Sequence, residues 1–180
     1  VSAVEAAARA SFDQVRTLRG GEQVRIRPIR PDDEPRLSEL YDRLSRQTIY
    51  QRFFTVMQRL PPDWAMFLAR VDYVRRFALV VEDLAAPSTR LVAVARYEPM
   101  PDEDAAELAF VVQDDWQGKG LGRLLVHELL RAAELNGIHR FRAFVLGDNR
   151  RMLRLLAHHT VVGERHVADG VVELHLTRKR

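Results

Sequence analysis

The stretch QDDWQGKGLGRLLVHELL, residues 113–130, decides how this chain is read. Gly118, Gly120 and Gly122 fall within five positions, directly before an amphipathic run. The pattern predicts a strand, a glycine turn, and then a helix over 121–136 closed by Gly137. Such a turn exposes several backbone N–H groups, and the helix dipole adds partial positive charge, so the place favours a phosphate. Glycines let a ligand come close to the backbone, and Lys119 and Arg123 would add charge at the rim. The bland alternative is a tight turn needing positive φ, for which one glycine usually suffices. Two familiar phosphate loops fail on spacing. A P-loop wants Ser or Thr after its lysine, and Lys119 is followed by Gly120. A dinucleotide fingerprint wants G-x-G-x-x-G, and the spacing here is G-x-G-x-G.

Outward from this turn the hydrophobic period changes twice. Residues 77–83, 89–98 and 105–113 alternate with period two and predict three strands, separated by turn-forming APS and EPMPDED. The acidic residues 102–104 of the second linker read as a solvated turn. RFRAFVLG predicts a strand, DNRRMLRLLAHH a helix capped by Asp148 or Asn149, and residues 161–179 two strands with a turn at Asp169-Gly170. Towards the N-terminus, QVRIRPI predicts a strand, placed at a sheet edge by its proline. Asp32 and Asp33 are candidate N-caps for a helix carrying Leu37, Leu40, Tyr41 and Leu44, and two short helices follow within residues 46–71. The Ala-rich residues 1–20 predict a peripheral helix stopped by Gly20 and Gly21, or a linker. The domain division is therefore an extension over 1–21 and one α/β domain over 22–180. The order lacks the regular alternation of a doubly wound sheet.

Composition narrows the classes. The chain has 180 residues, 47 % of them apolar, which suits one domain with a real core. A net charge of +3 fits a basic groove for an anionic cofactor as well as it fits nucleic acid. Nucleic-acid binding would want aromatics among the arginines; Phe53, Phe54 and Trp64 sit instead in apolar patterns, so no nucleic-acid partner is expected. Absence of cysteine excludes disulfides, thiolate metal sites and Cys nucleophiles. No apolar run approaches the ~20 residues of a membrane span, and no signal peptide is read, so a cytoplasmic protein without a membrane partner is expected. The first residue is Val, so the chain is either processed or a piece of something longer.

The six histidines suggest no metal. His158 and His159 are adjacent and project about 100° apart on a helix, and His127-Glu128 lacks the second His of H-E-x-x-H. His166 and His175 read as strand residues with ordinary partners. Arg150, Arg151 and Arg154 make a basic helix face, either solvated or in contact with phosphates or an acidic partner.

VVQDDWQGKGLGRLL resembles the acyl-CoA-binding motif of the GCN5-related N-acetyltransferase (GNAT) family, Q/R-x-x-G-x-G/A, matched by Gln117, Gly120 and Gly122. DNRRMLRLL looks like the family's second cofactor-side helix, with Asn149 at its usual Asn position. Residues 24–54 resemble the opening of one branch, the bacterial Pat-type protein-lysine acetyltransferases. AELAFVV is similar to that branch's catalytic strand, with Glu107 where it carries its glutamate. The resemblance spans residues 22–177. It implies a mixed, mostly antiparallel sheet with helices on both faces and acyl-CoA in the cleft of a splayed central strand.

The activity so implied moves an acetyl group from acetyl-CoA to a lysine amine of a protein substrate, with an acyl-CoA synthetase as one candidate. A lysine amine arrives protonated and needs a base, for which Glu107, a carboxylate interrupting an apolar strand, is the candidate. As an exposed strand glutamate it would instead have no role. The family's splayed strand implies free backbone N–H groups at Phe110, Val111 and Val112 for the oxyanion and pantetheine. Gln117, Gly118, Lys119, Gly120, Leu121, Gly122, Arg123 and Asn149 complete the implied cofactor site. Tyr50, Arg52 and Phe53 would line the acceptor entrance.

Two departures from the family pattern stand out. Small-amine branches carry a tyrosine acid seven residues after the motif Asn, and here that position is Leu156. The segment AHHTVVGERHV lacks the usual Gly-Phe step, which weakens the C-terminal assignment. Pat-type proteins often carry a regulatory domain, and none is read within these residues. The alternatives are a small-molecule amine acetyltransferase and a non-catalytic acyl-CoA sensor, and the oligomer is a monomer or a homodimer.

Overall fold

The computed structural model describes residues 10–85, 89–101 and 104–179. Its strands are β1 Gln14–Thr17, β2 Gln23–Pro28, β3 Phe77–Asp83, β4 Arg90–Pro99, β5 Ala106–Val112, β6 Arg140–Leu146, β7 Thr160–Ala168 and β8 Val171–Arg178. Its helices are α1 Glu34–Asp42, α2 Arg46–Phe53, α3 Pro62–Ala69, α4 Leu121–Leu135 and α5 Arg150–His159. The strands form one sheet in the order β1-β2-β3-β4-β5-β6-β8-β7. Every neighbouring pair is antiparallel except β5–β6, which runs parallel and is bridged by α4, since parallel strands require a crossover.

Both faces of the sheet are covered. Ala78, Val80, Val94 and Val111 pack under α1, α2 and α3, while Leu79, Val81, Ala95 and Leu108 pack under α4. This double burial explains why β3 and β4 read as nearly continuous apolar runs. Leu121, Leu125 and Leu129 line the buried stripe of α4, which Gly137 ends with φ +75. Asp169 and Gly170 both take positive φ, as the tight β7–β8 turn requires. No helix among the described residues is long and apolar enough to cross a membrane.

Three expectations are corrected. Residues 14–17 form a strand rather than a helix, while 1–9 lie outside the described residues. Burial of Phe12 and Leu18 and the Leu18–Glu22 backbone bond (2.8 Å) hold β1 on β2, and Gly21 makes the hairpin turn at φ +90. Consequently β2 is not an edge strand. Ile29 N–H donates to Ala78 O and Leu84 N–H to Gln23 O, so Pro28 turns its ring nitrogen towards the β1 side. The last β1 pair is Gln14–Ile26, so Pro28 lies past the end of β1 and breaks no ladder bond there.

Asp33 holds the N-cap position of α1, but its side chain makes no capping bond there, and Asp32 lies within the preceding turn. A 3₁₀ turn over Pro31–Asp33 precedes the helix, and Asp33 is fully buried against Arg27. Arg27 Nη1 and Nη2 donate to the two Asp33 oxygens at 2.7 Å each, and Arg27 Nε donates to Glu82 Oε1 at 2.9 Å. Arg36, partly exposed, pairs with the same two carboxylates and closes a four-member network of zero net charge whose other three members are buried. Of the acidic linker, residues 102–103 lie outside the described residues and Asp104 is exposed.

Candidate active site

β5 and β6 pair only at Ala106–Phe141 and Glu107–Arg142. Beyond that point they diverge, and a cleft opens between them. Its inner part is lined by Glu107, Phe110, Arg52 and Asn149, and it continues past Met152 to Gln117 and Gly118.

The ladder to β4 settles which backbone groups face this cleft. Gln113 N–H donates to Val92 O (2.9 Å) and Met100 N–H to Ala105 O (3.1 Å). Antiparallel ladders alternate, so the odd-numbered residues of β5 direct their main-chain groups at β4. Phe110 and Val112 therefore turn their N–H groups into the cleft. Val111 does not: its amide points to β4 and its side chain joins the core under α1–α3. Of the three expected donors, two face the gap. Val112 O is taken by Gln117 Nε2 at 3.0 Å.

Glu107 stands at the inner end of the cleft, half-buried, with no hydrogen bond or ion pair among the described residues. Directly opposite across the ladder lies Glu98. The two carboxylates differ sharply in surroundings. Glu98 accepts from Arg76 Nε at 2.6 Å and Arg96 Nε at 2.9 Å. Glu107 has no such partner. Burial pushes its carboxyl up; Arg52 and Arg96 oppose the rise, and Glu98 adds to it.

The glycine turn has two separate requirements. Gly118 and Gly120 take φ +82 and +96, and a Cβ on Gly120 would meet no protein atom within 4 Å, so its outer side is open. Gly122 has ordinary φ. A Cβ there would come within 3.0 Å of Leu155 Cδ2, so this glycine serves the close approach of α4 to α5. Gly120 is the N-cap of α4 and offers no side chain, which leaves the first N–H groups of the helix, at Leu121 and Gly122, without a side-chain cap.

The profile of the acetyltransferase (GNAT) domain family matches residues 23–159. The chain belongs to the GNAT acetyltransferase family. It is 30 % identical over 161 residues to Acetyltransferase PA5475 of Pseudomonas aeruginosa, covering 89 % of this chain and 87 % of that one. It is 36 % identical over 146 residues to Acetyltransferase Pat of Mycolicibacterium smegmatis, covering 79 % of this chain but only 41 % of Pat. Among solved structures, the GNAT domain of S. lividans PAT matches with a TM-score of 0.82 and 31 % identity, over 93 % of this chain and 98 % of that one. A cAMP-binding acyltransferase from Mycobacterium smegmatis matches at 0.63 and 27 % identity, covering 98 % of this chain and 51 % of that one.

The other expected site residues of this GNAT domain take varied settings. Lys119 is ion-paired with Glu22 on the β1–β2 hairpin, so its charge is engaged rather than free at the rim. Arg123 is exposed on the first turn of α4. Arg151 Nη1 donates to Gln117 Oε1 at 3.1 Å, so one arginine of the basic face holds the motif glutamine, while Arg150 and Arg154 are exposed. Asn149 Oδ1 caps α5 by accepting from Met152 N–H at 3.2 Å, and the residue lines the cleft. Tyr50 is exposed, whereas Arg52 lines the cleft. Phe53 packs on Tyr41 and Trp64 at ring distances near 5.5 Å. Leu156 is fully buried, and the inner cleft holds no tyrosine among its described lining.

One contact was missed from the sequence. Asp114 accepts from Ser45 Oγ at 2.6 Å, Thr48 Oγ1 at 2.8 Å and Ser45 N–H at 2.9 Å. Burial works against its charge, but these bonds hold the Asp114 carboxyl below its ordinary range. They tie the start of α2, which carries Gln51 and Arg52, to the strand-to-helix turn. Nothing local signals this pairing, because 66 residues separate Thr48 from Asp114.

Proposed function

We propose that the chain transfers an acetyl group from acetyl-CoA to a lysine amine of a protein substrate, with Glu107 as general base. The observation that carries this reading is the half-buried, unpaired Glu107 beside the cleft-facing N–H groups of Phe110 and Val112. The carboxylate takes a proton from the incoming ammonium, directly or through a water. The free amine attacks the thioester carbon. One of the two N–H groups stabilises the oxyanion, a contribution worth roughly 3–4 kcal/mol for a well-placed donor, and the other, two residues along the strand, is left for the pantetheine. As the intermediate collapses the nitrogen gives up its second proton to water, and the departing thiolate takes one from water. The pyrophosphate lies against the turn at Gly118–Gly120 and the open N-terminus of α4.

The lysine acceptor rests on the resemblance of residues 24–54 and 106–112 to the Pat branch. Leu156, in place of a tyrosine acid, speaks against the small-amine alternative. A sensor without turnover would gain nothing from a desolvated carboxylate left unpaired. An acyl-CoA synthetase is the first protein substrate to try. Incubation of the chain with acetyl-CoA and a cell lysate, followed by mass spectrometry, is expected to reveal new acetyl-lysines. If only small amines are acetylated, the second reading replaces the first.

Gly120→Val is expected to weaken acetyl-CoA binding at least tenfold, about 1.4 kcal/mol, in calorimetry. Its branched side chain would occupy the open space where the pyrophosphate belongs. Gly137→Val controls for backbone strain, because Gly137 has similar φ and open space but lies at the far end of α4. Equal affinity in folded Gly120→Val protein would remove the cofactor from this turn.

A further inference from the structure

The β7–β8 hairpin holds a cluster that the acetyltransferase chemistry leaves unused. β7 is the last strand of the sheet. Its register with β8 shifts between Val162 and Glu164, so that Glu164 faces His175 and His166 faces Glu173. An unshifted ladder would put Gly163 opposite His175, and Glu164 and His166 would point to the other face. The bulge thus re-aims two side chains onto the face that already carries His175 and Glu173. Leu174 and Leu176, buried in the core under α4, point the opposite way.

We propose that Glu164, His166 and His175 form a divalent-metal site, with Glu173 orienting His175. Glu164 Oε2 lies 3.4 Å from His166 Nε2 and 3.3 Å from His175 Nδ1. Ligand atoms of the three residues all lie within 4.8 Å of one another. A tetrahedral ion with bonds near 2.05 Å separates its ligands by about 3.3 Å, so two of the three edges already have the required length. The other nitrogen of His175, Nε2, lies 3.2 Å from Glu173 Oε1, and Arg142 Nη1 holds that oxygen at 2.7 Å. This is the carboxylate–histidine–metal arrangement, in which an outer carboxylate fixes the ring and its tautomer.

Glu164 and His166 are exposed, which leaves the fourth position to water. Two imidazoles and one carboxylate suit Zn²⁺, and not Mg²⁺ or Ca²⁺, which prefer oxygen ligands. Arg142 pairs with Glu107 on one side and His175 on the other, so the ion lies on the face of the proposed base. It stands roughly 10–15 Å away by strand spacing, too far to polarise the thioester. The histidine spacing along the chain gives no sign of this site, because its ligands meet across a hairpin and only through the bulge.

The test is calorimetric titration of ZnCl₂ into the full 180-residue chain, free of any tag, stripped with EDTA and held at neutral pH. One ion per chain is expected, with Kd below about 10 µM, and MgCl₂ should give no binding. His166→Ala and His175→Ala should each weaken binding at least tenfold. Glu173→Gln, which removes no ligand, should weaken it by about tenfold. The double variant His158→Ala/His159→Ala should bind as wild type. Weaker wild-type binding overturns the proposal. So does affinity within threefold of wild type in folded His166→Ala, or loss of binding in the His158/His159 variant. Circular dichroism establishes folding, and the exposed His166 carries the test if His175→Ala does not fold.

Discussion

Glu107→Gln is expected to lower turnover by roughly 10²–10⁴-fold while acetyl-CoA affinity stays within about twofold, the usual signature of a lost general base. The substitution keeps the shape of the side chain in the β5–β6 cleft and removes its basicity. Only the carboxylate form can accept a proton, and burial raises its pKa. Wild-type kcat/KM should therefore rise with pH, along a limb displaced above the ordinary carboxylate range. In Glu107→Gln that carboxylate limb should vanish, leaving over about pH 6 to 9 only the rise that follows the free fraction of the lysine amine, whose pKa is about 10.4. Steady-state acetylation of a lysine substrate across that range measures both effects. Near-normal turnover in a variant that still binds acetyl-CoA would move the base elsewhere. Joint loss of binding and activity would make Glu107 a structural residue. Wild-type protein that binds acetyl-CoA tightly yet acetylates no amine would favour the sensor reading.

Arg27→Met should destabilise the fold by about 3–5 kcal/mol, the cost of leaving buried charges unpaired. For a domain of this size that is a fall in Tm of roughly 6–20 °C. Arg27 and Asp33 are both almost wholly buried and joined by two parallel hydrogen bonds, and Glu82 closes the cluster from β3. Burial opposes the Asp33 charge, but Arg27 and the Arg30 N–H hold its carboxyl below the ordinary value. A depressed folded pKa stabilises fully above the unfolded carboxylate pKa of about 3.9 and is lost as pH falls through the lower folded value. Arg27→Met should thus lose its deficit relative to wild type in strong acid. Adding Asp33→Asn and Glu82→Gln to Arg27→Met should recover part of the loss at neutral pH, because no bare carboxylate remains. A Tm shift of under about 2 °C for the single variant would show that the network contributes little.

The elements themselves were legible wherever the signal is local. The strand runs of residues 77–83 and 106–112, the turn at Asp169-Gly170, and Gly137 after α4 each follow from steric and hydrogen-bonding needs spanning a few residues. The glycine turn was legible for the same reason, down to its helix start. Asn149 could be named as one of two candidate caps. Glu107 could be singled out as a charge within an apolar strand.

What the sequence could not determine depends on partners far along the chain. Whether β2 lies at an edge turns on β1, a four-residue strand with no strong pattern of its own. Arg27 alternates like a surface residue in QVRIRPI, yet it is buried because Glu82, 55 positions away, meets it across β2 and β3. Lys119 looks free until the hairpin brings Glu22 beside it. The register of β5 on β4, not its composition, decides that Phe110 and Val112 offer their N–H groups while Val111 does not. A one-residue bulge at Gly163 gathers Glu164, His166 and His175 on one face. Side-chain period, capping and turn chemistry are short-range and are written in the order of residues. Pairing register and the meeting of opposite charges are set only when the sheet closes, because each depends on which strand arrives alongside.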